Sequence, residues 1–390
     1  MPARARAGHR GRDRRRGAAA GAGAGGREED GLKRERRHAL EAATASAASA
    51  VVRRLPRRAV LALGRTLGRL WGALDRRHLA IAADNLRQAF PEWDERRVRK
   101  TARGVYAHFG AVLLDLLWME GRSAEELLAL ADLEGVERLV EARARGRGVI
   151  APAGHLGNWE LQAIASVPLV GTTAVVARPL DNPALDRRLV GLRTSTGNTV
   201  IYKQRALARV IKAIREGGIV AIVIDQNVQE KDGIFVRFFG RPACTTTVAA
   251  ALALKTGCAI VPVRCLLQAN GRYRMVYGPP VEWTATGGRD EDVAGLTQRL
   301  TSIIEDWVRE TPEQWLWLHR RWKTQASRGA SVRGGSEGVS PAPLGPSSPD
   351  PSERSSARPL GRPSEERSAG VTADEVVSAR DSGGGRRDET

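Results

Sequence analysis

The 390-residue sequence has no uninterrupted apolar run near the ~18 residues that a membrane-spanning helix requires. That excludes a multi-pass membrane protein. Cysteine is scarce, with only Cys244, Cys258 and Cys265. An odd, sparse set does not make a disulfide framework and points to a reducing compartment. The three show no ligand spacing, and His-Glu-x-x-His is missing, so no zinc site is expected. The Gly-x-Ser-x-Gly elbow of serine hydrolases is absent. So is the phosphate-binding Gly-x-x-x-x-Gly-Lys-(Ser/Thr) loop. Acidic side chains are also short: 44 against 62 Lys and Arg, a formal net charge of +18. Such a balance suits nucleic acid, an anionic membrane face or an acidic carrier protein. Hydrophobic residues make up 42%, enough for a sizeable core, so a chain disordered throughout is excluded as well.

Composition divides the chain. Residues 1–50 are Arg, Ala and Gly with runs such as Arg14-Arg15-Arg16, and they carry no helical or strand period. They read as a disordered basic extension, and no apolar stretch makes them a secretory signal. Gly21 to Gly26 formally fits Gly-x-Gly-x-x-Gly, but no strand precedes it and the motif means little without one. Residues 326–390 are Ser, Pro, Gly, Arg and Glu, a composition too poor in apolar surface to offset chain entropy. The folded unit is therefore expected over 51–325.

That unit opens with helices over 51–125, which, with the resemblance given below, are expected to be its membrane-facing part. Val60, Leu63, Leu67, Leu70, Trp71 and Leu74 recur at three- and four-residue steps and form one stripe. Arg57, Arg58, Arg65, Arg69, Arg76 and Arg77 surround it. The stripe fits an interfacial helix facing anionic lipid. It fits equally an ordinary helix with its stripe in the core, which is the favoured reading of the helix alone. A second helix is predicted from about Glu95 to Met119. From Gly146 onward short apolar runs alternate with helical segments. Strands are predicted at 148–151, 173–177, 199–202, 219–224, 259–266 and 273–277, with helices at 159–166, 183–194, 204–216, 246–255 and 292–309. The pattern implies an α/β fold: a mixed central sheet flanked by helices, behind an N-terminal helical segment. Ligands of such sheets sit outside the carboxyl ends of the strands.

The most informative stretch runs from Val149 to Glu160, with His155 in the turn after a buried strand. Asn158 can cap the helix starting at Trp159, and Glu160 lies in that helix's first turn. The intervening residues turn the chain, so His155 and Glu160 are expected to meet. A carboxylate bonded to one imidazole nitrogen fixes the tautomer and frees the other to take a proton from a hydroxyl. The bland alternative is a surface turn with a helix-starting Glu, favoured there by the helix dipole. The glycines beside His155 favour a site, because they let another molecule approach the backbone.

His155-Leu-Gly-Asn-Trp-Glu160 resembles the His-x-x-x-x-(Asp/Glu) motif of the bacterial lipid A biosynthesis acyltransferases, within the lysophospholipid acyltransferase superfamily. Leu55-Pro-Arg, Asp75-Arg-Arg-His and Asn85 to Pro91 are similar to the family's N-terminal segment. Ala177 to Pro183, Asp225-Gln226, Phe238 to Pro242 and Ile260 to Val263 resemble its later blocks, and Pro312 to Trp322 its closing helix. The resemblance covers about 50–325, in order.

It implies transfer of a fatty acyl chain from a thioester to a sugar or glycerol hydroxyl, with His155 as base and Glu160 orienting it. The implied donor is acyl carrier protein or acyl-coenzyme A. The acceptor is a glycolipid such as a lipid A precursor, or another glycolipid or lysophospholipid. No cofactor or metal is implied. The expected location is the cytoplasmic face of the bacterial inner membrane, peripheral or monotopic, on an anionic surface. Asn158, Arg178, Asp225, Gln226 and Arg237 are the expected substrate-binding residues. Arg178 follows a strand, where a cation could reach an oxyanion or phosphate. Asp225 and Gln226 end an apolar strand, where they could line a site or merely turn the chain. Arg237 could hold a phosphate or be solvated. Two other readings remain: a hydrolase using the same dyad on water, and a basic nucleic-acid binder. Aromatics interleaved with the basic residues, usual in such binders, are absent from the N-terminal Arg runs, so no nucleic acid is expected.

Overall fold

The computed structural model describes residues 13–203 and 206–326. The tail expected over 326–390 thus lies outside the described residues except for its first position, as do residues 1–12. Residues Asp13–Val52 form helix α1, which corrects the expectation of a disordered extension over 1–50. Its Ala, Arg, Glu and Lys are good helix formers, and its second half has partners. The Asn182 amide donates to the His38 carbonyl and to Glu41, both at 2.9 Å, and the Ser49 hydroxyl donates to Glu120 at 2.7 Å. The packed unit therefore begins before residue 51.

Helices α2 (Arg57–Leu74), α3 (Arg76–Ala89), α4 (Glu95–Met119) and α5 (Ala124–Leu128) follow. The α/β part then runs β1 (Ala131–Glu134), α6 (Val136–Ala144), β2 (Val149–Ala153), α7 (Trp159–Ala165), α8 (Val167–Val170), β3 (Thr173–Ala177), α9 (Pro183–Thr194), β4 (Thr199–Tyr202), α10 (Ala206–Arg215) and β5 (Ile219–Val223). It ends with the hairpin strands β6 (Ile234–Phe238) and β7 (Arg241–Thr245), α11 (Val248–Thr256), β8 (Ala259–Ile260), β9 (Val263–Leu267), β10 (Tyr273–Tyr277) and α12 (Arg289–Glu310). The closing segment is a short 3-10 turn, Pro312–Gln314, followed by irregular chain.

The expected α/β class holds. The central sheet has five parallel strands in the order β4-β3-β5-β2-β8. The central sheet is thus purely parallel and not the mixed sheet expected; mixed pairing occurs in a second sheet, where β10 pairs parallel with β1 and antiparallel with β9. The single strand predicted over 259–266 is two. Pro262 has no N–H for a ladder, and the chain passes there from the central sheet to the second one. The unpredicted β6–β7 hairpin turns through Phe239 and Gly240, both with positive φ, as a tight two-residue hairpin turn demands.

Alternation along the strands feeds two cores. On β5, Val220, Ile222 and Ile224 join the core shared with α10, α11 and α12. Ile219 joins the opposite core, with Leu161, Ile164 and Ala165 of α7 and Val149, Ala151 and Ala153 of β2. Side chains two apart on a strand share a face, so this division follows from the pleat.

Helix α2 overturns the favoured core-facing reading of its stripe. It packs on α4 through Gly64, Gly68 and Gly72, not through the leucines of the stripe. A Cβ at Gly64 would lie 2.5 Å from the Gly110 carbonyl, and one at Gly72 would lie 2.7 Å from the Tyr106 ring. Val60 and Leu61 are buried, but Leu63, Leu67, Leu70, Trp71 and Leu74 are exposed, Trp71 by 63% and Leu74 by 78%. Glycine at four-residue spacing brings the two backbones together, which turns the bulky apolar face outward.

Candidate active site

Strands β2 and β5 are paired in register, Ala153 opposite Val223, and the Ile224 N–H donates to the Ala153 carbonyl at 3.0 Å. Continued two residues further, the same register sets His155 opposite Asp225, at the carboxyl end of the central sheet. The His155 backbone N–H donates to Asp225 Oδ2 at 2.6 Å, and His155 Nδ1 lies 2.7 Å from Asp225 Oδ1. Trp315 Nε1 donates to the same Oδ2 at 2.7 Å. The carboxylate is almost fully buried and the imidazole is one-fifth exposed. Burial alone would raise the Asp225 carboxyl. The His155 charge and hydrogen bonds, with that of Trp315, outweigh it and hold the group below the usual carboxylate range.

These partners assign the tautomer. Nδ1, facing a carboxylate, carries the proton, and Nε2 offers its lone pair. The exposed Gln226 amide stands 3.3 Å from Nε2 and donates to it. An incoming hydroxyl would take the place of this weak contact. Edge-on to the imidazole, at 4.9 Å between centroids, lies the ring of Trp159.

The orienting carboxylate is therefore Asp225, a correction of the expectation for Glu160. Glu160 turns away into the α7–α9 interface, where Arg193 Nε donates to Oε2 at 2.7 Å and Arg193 Nη2 to Oε1 at 2.5 Å. Trp159 Nε1 also donates to Oε1, at 3.0 Å. Both members of this ion pair are buried. The physical reason lies in the helix: one position past Trp159, the Glu160 side chain points to the neighbouring α9 and not back to the turn.

Asn158 is likewise not placed to touch substrate. It is fully buried; its Oδ1 accepts from the Leu161 N–H at 3.0 Å and its amide donates to the Tyr273 hydroxyl at 3.0 Å. Tyr273 in turn donates to Asp115 at 2.7 Å, and Arg57 clamps that carboxylate from Nε and Nη2 at 2.9 and 2.8 Å. Arg57 thus belongs to the interior and not to the basic surface. The two glycines beside His155 serve the turn itself. A Cβ at Gly154 would lie 3.1 Å from Asp225 Oδ2, and Gly157, with φ +64°, packs its Cα face on the Cys265 carbonyl.

Arg178 stands just past β3, exposed, with no hydrogen bond or ion pair among the described residues. Arg237 is exposed on the β6–β7 hairpin, and its guanidinium reaches back to the Gly240 carbonyl at 3.2 Å, with no contact to His155 or Asp225. The structure thus unites His155, Asp225 and Gln226 and leaves Glu160, Asn158 and Arg237 elsewhere.

Two groups escaped the sequence reading. The indole N–H of Trp315 is the third donor to Asp225. His319 Nε2 accepts from the Asn227 N–H at 2.9 Å, two residues beyond Asp225. Burial lowers its pKa, so it sits there as a neutral acceptor. The clustering of Trp315, Trp317, His319 and Trp322 in one short segment was the available signal. That segment is sewn to the His155 turn: Leu316 N–H donates to the His155 carbonyl at 3.1 Å and Gly157 N–H to the Gln314 carbonyl at 2.9 Å.

A buried carboxylate, an imidazole steered by it and an accessible Nε2 make a general base for a hydroxyl. Among the described residues no cluster of His, Cys, Asp and Glu could hold a metal ion.

The family model for bacterial lipid A biosynthesis acyltransferases matches residues 32–324. Escherichia coli (strain K12) lipid A biosynthesis lauroyltransferase is 27% identical over 284 residues, covering 70% of this chain and 89% of that protein. The palmitoleoyltransferase of the same organism is 26% identical over 277 residues, covering 70% and 87%. Phosphatidylinositol mannoside acyltransferase of Mycobacterium tuberculosis (strain ATCC 25618 / H37Rv) is 28% identical over 197 residues, covering 50% of this chain and 60% of that one. The match begins inside α1 and ends past Trp322, so it spans the whole packed unit, and the chain belongs to the bacterial lipid A biosynthesis acyltransferase family, an acyltransferase acting in glycolipid synthesis.

Proposed function

We propose that the enzyme moves a fatty acyl chain from a thioester to a hydroxyl of a membrane glycolipid, with His155 as general base and Asp225 as its orienting partner. The observation that carries this reading is the pair of hydrogen bonds from His155, through its backbone N–H and Nδ1, to one buried carboxylate, with Nε2 left accessible. As the acceptor oxygen attacks the thioester carbonyl, Nε2 takes its proton and Asp225 stabilises the imidazolium that forms. The proton then passes to the departing thiolate. Arg178, unpaired at the same carboxyl edge of the sheet, is the group available to a substrate phosphate.

The N-terminal helices support a membrane-bound substrate. The exposed stripe of α2 is rimmed by exposed Arg58, Arg69, Arg76 and Arg77, and no acidic residue occurs from Arg53 to Leu74. Each such cation near an anionic bilayer contributes ~1 kcal/mol of attraction. No helix among the described residues is long and apolar enough to cross a membrane. We therefore read the enzyme as lying on the anionic cytoplasmic face of the inner membrane. Its charge also suits an acidic acyl carrier protein as donor, in preference to acyl-coenzyme A, through electrostatic steering. For the acceptor, a lipid A precursor is favoured over a mannosylated lipid, because the lipid A relatives align over more of both chains.

The test is transfer of labelled acyl groups from acyl carrier protein and from acyl-coenzyme A, in mixed vesicles, to lipid A precursor, mannosylated phosphatidylinositol and lysophospholipid. Acylation of the lipid A precursor that is lost in His155→Ala is expected. Thioester hydrolysis without any acylated lipid would overturn the reading in favour of a hydrolase.

A further inference from the structure

Outside the dyad, the interior holds a second chain of polar groups that the reaction above does not use. It runs from Arg57 at the head of α2 through Asp115 of α4 and Tyr273 of β10 to Asn158. Asp115, Tyr273 and Asn158 are each completely buried. A buried ion pair adds little net stability over apolar groups of the same shape, so stability alone does not account for this chain.

Its hydrogens can run in one direction only. Arg57 has donors alone, and gives them to Asp115 from Nε and Nη2 and to the Gly271 carbonyl from Nη1 at 2.5 Å. The Asp115 carboxylate only accepts, so the Tyr273 hydroxyl donates to it, at 2.7 Å. Burial and the Asp115 charge push that hydroxyl well above the ordinary phenol range, and it keeps its proton. Its oxygen is left to accept, and does so from Asn158 Nδ2 at 3.0 Å, with Met119 Sδ 3.9 Å from the same nitrogen. These bonds assign the Asn158 amide: nitrogen toward Tyr273, oxygen toward the Leu161 N–H at 3.0 Å. Reversed, the amide would set its NH2 against the Leu161 N–H, donor against donor, and α7 would lose its cap.

Asn158 closes the turn that His155 opens, and its backbone N–H donates to the Cys265 carbonyl at 2.8 Å. The next residue is Trp159, whose ring stands edge-on to the imidazole. The 314–316 segment braces the turn at His155 and Gly157, and the buried chain braces it at Asn158.

We propose, resting on the general-base reading above, that Asp115 and Tyr273 are positioning residues of the acyl transfer: they fix the Asn158 amide and, through the cap of α7, hold the turn that presents His155 to its substrate. Because Arg57 opens α2, the same chain ties that turn to the helix bearing the exposed apolar stripe and gives the base a fixed offset from it.

The test uses Tyr273→Phe, which removes one hydroxyl and leaves both the Arg57–Asp115 pair and the dyad in place. Its kcat for transfer to the lipid acceptor in vesicles should fall ~10- to 100-fold with KM unchanged, the scale of a small misplacement of the base. The Nδ1 proton resonance of His155, in full chain carrying isotope-labelled histidine, should shift or broaden, a change that a role confined to folding would not produce. Read at low temperature, the resonance decides the case even for a variant too unstable to assay. Asn158→Ser caps α7 through a single oxygen with no amide to orient. It should keep more of kcat than Asn158→Ala, and adding Tyr273→Phe to it should cost little further, as for residues that act through one another. An unmoved resonance, an unchanged kcat in Tyr273→Phe, or an equal loss from Tyr273→Phe with Ser or Asn at 158 would overturn the proposal. The resonance reads His155 without turnover, so such a failure leaves the base itself standing. Conversely, transfer that survives His155→Ala would remove the acyl-transfer reading while leaving the effect of Tyr273 on the ring intact.

Discussion

His155 binds Asp225 twice, through its backbone N–H at 2.6 Å and through Nδ1 at 2.7 Å, so one carboxylate fixes both the turn and the ring it carries. Asp225→Ala is therefore expected to lower acyl transfer ~10²–10⁴-fold, as for a lost general base. His155→Ala should fall as far, and the double variant little further, because the two act as a unit. Steady-state rates of the three variants check this; additive losses would mean that the residues work separately.

Glu160 should behave differently. Glu160→Gln removes the charge that partners buried Arg193, and breaking a buried pair typically costs about 3–5 kcal/mol of stability. The pH profile of the remaining activity should keep its shape, since Glu160 does not touch His155. Chemical denaturation and a pH–rate series on the soluble fraction separate the two effects.

Acid should weaken the fold in two windows. His108 is buried against the Gly157 carbonyl, and desolvation lowers its pKa to about 4 from an ordinary 6.5. Between those values the unfolded chain binds the proton and the folded chain refuses it. The contribution is thus complete above about 6.5 and shrinks as pH falls toward about 4, by up to about 3 kcal/mol at 1.36 kcal/mol per unit. Asp225, whose carboxyl is depressed when folded, contributes fully above its ordinary 3.8 and loses that contribution at still lower pH. Melting temperature against pH should be flatter between 4 and 6.5 in His108→Gln than in the parent.

Opposite faces of α2 should respond in opposite ways. Gly68→Leu drives a side chain into the Tyr106 backbone and should cost at least about 2 kcal/mol of folding stability. Replacing Leu67, Leu70 and Trp71 by Ser should leave melting unchanged and release the protein from anionic vesicles, by tenfold or more in a sedimentation assay. Vesicle binding equal to the parent's would remove α2 from the membrane contact.

The strands at 173–177, 199–202 and 273–277 and the helices at 95–119 and 183–194 were legible because each carries its period and its stop signals locally. Asn182 and Pro183, for example, mark the start of α9 as a cap and first helical position. His155 was legible for the same reason: a buried strand runs straight into it. Its partner was not. Asp225 lies seventy residues away, and only the parallel register of β2 on β5 brings them together. Glu160 was nearer in sequence and so seemed the natural partner, yet helix geometry turns it onto Arg193. The stripe on α2 was legible as a stripe, but its period alone favoured the core, and only together with the family resemblance was the segment expected to face a membrane. The Gly64-Gly68-Gly72 series that competes with it for the packing face has no side chain to register as hydrophobic.

The last donor to Asp225 comes from Trp315, near the end of the packed unit. A chain cut before residue 314 would keep His155 and Asp225 but lose the third donor to Oδ2 and both backbone bonds that hold the His155 turn to the 314–316 segment, so truncation there should loosen the dyad without removing either member of it.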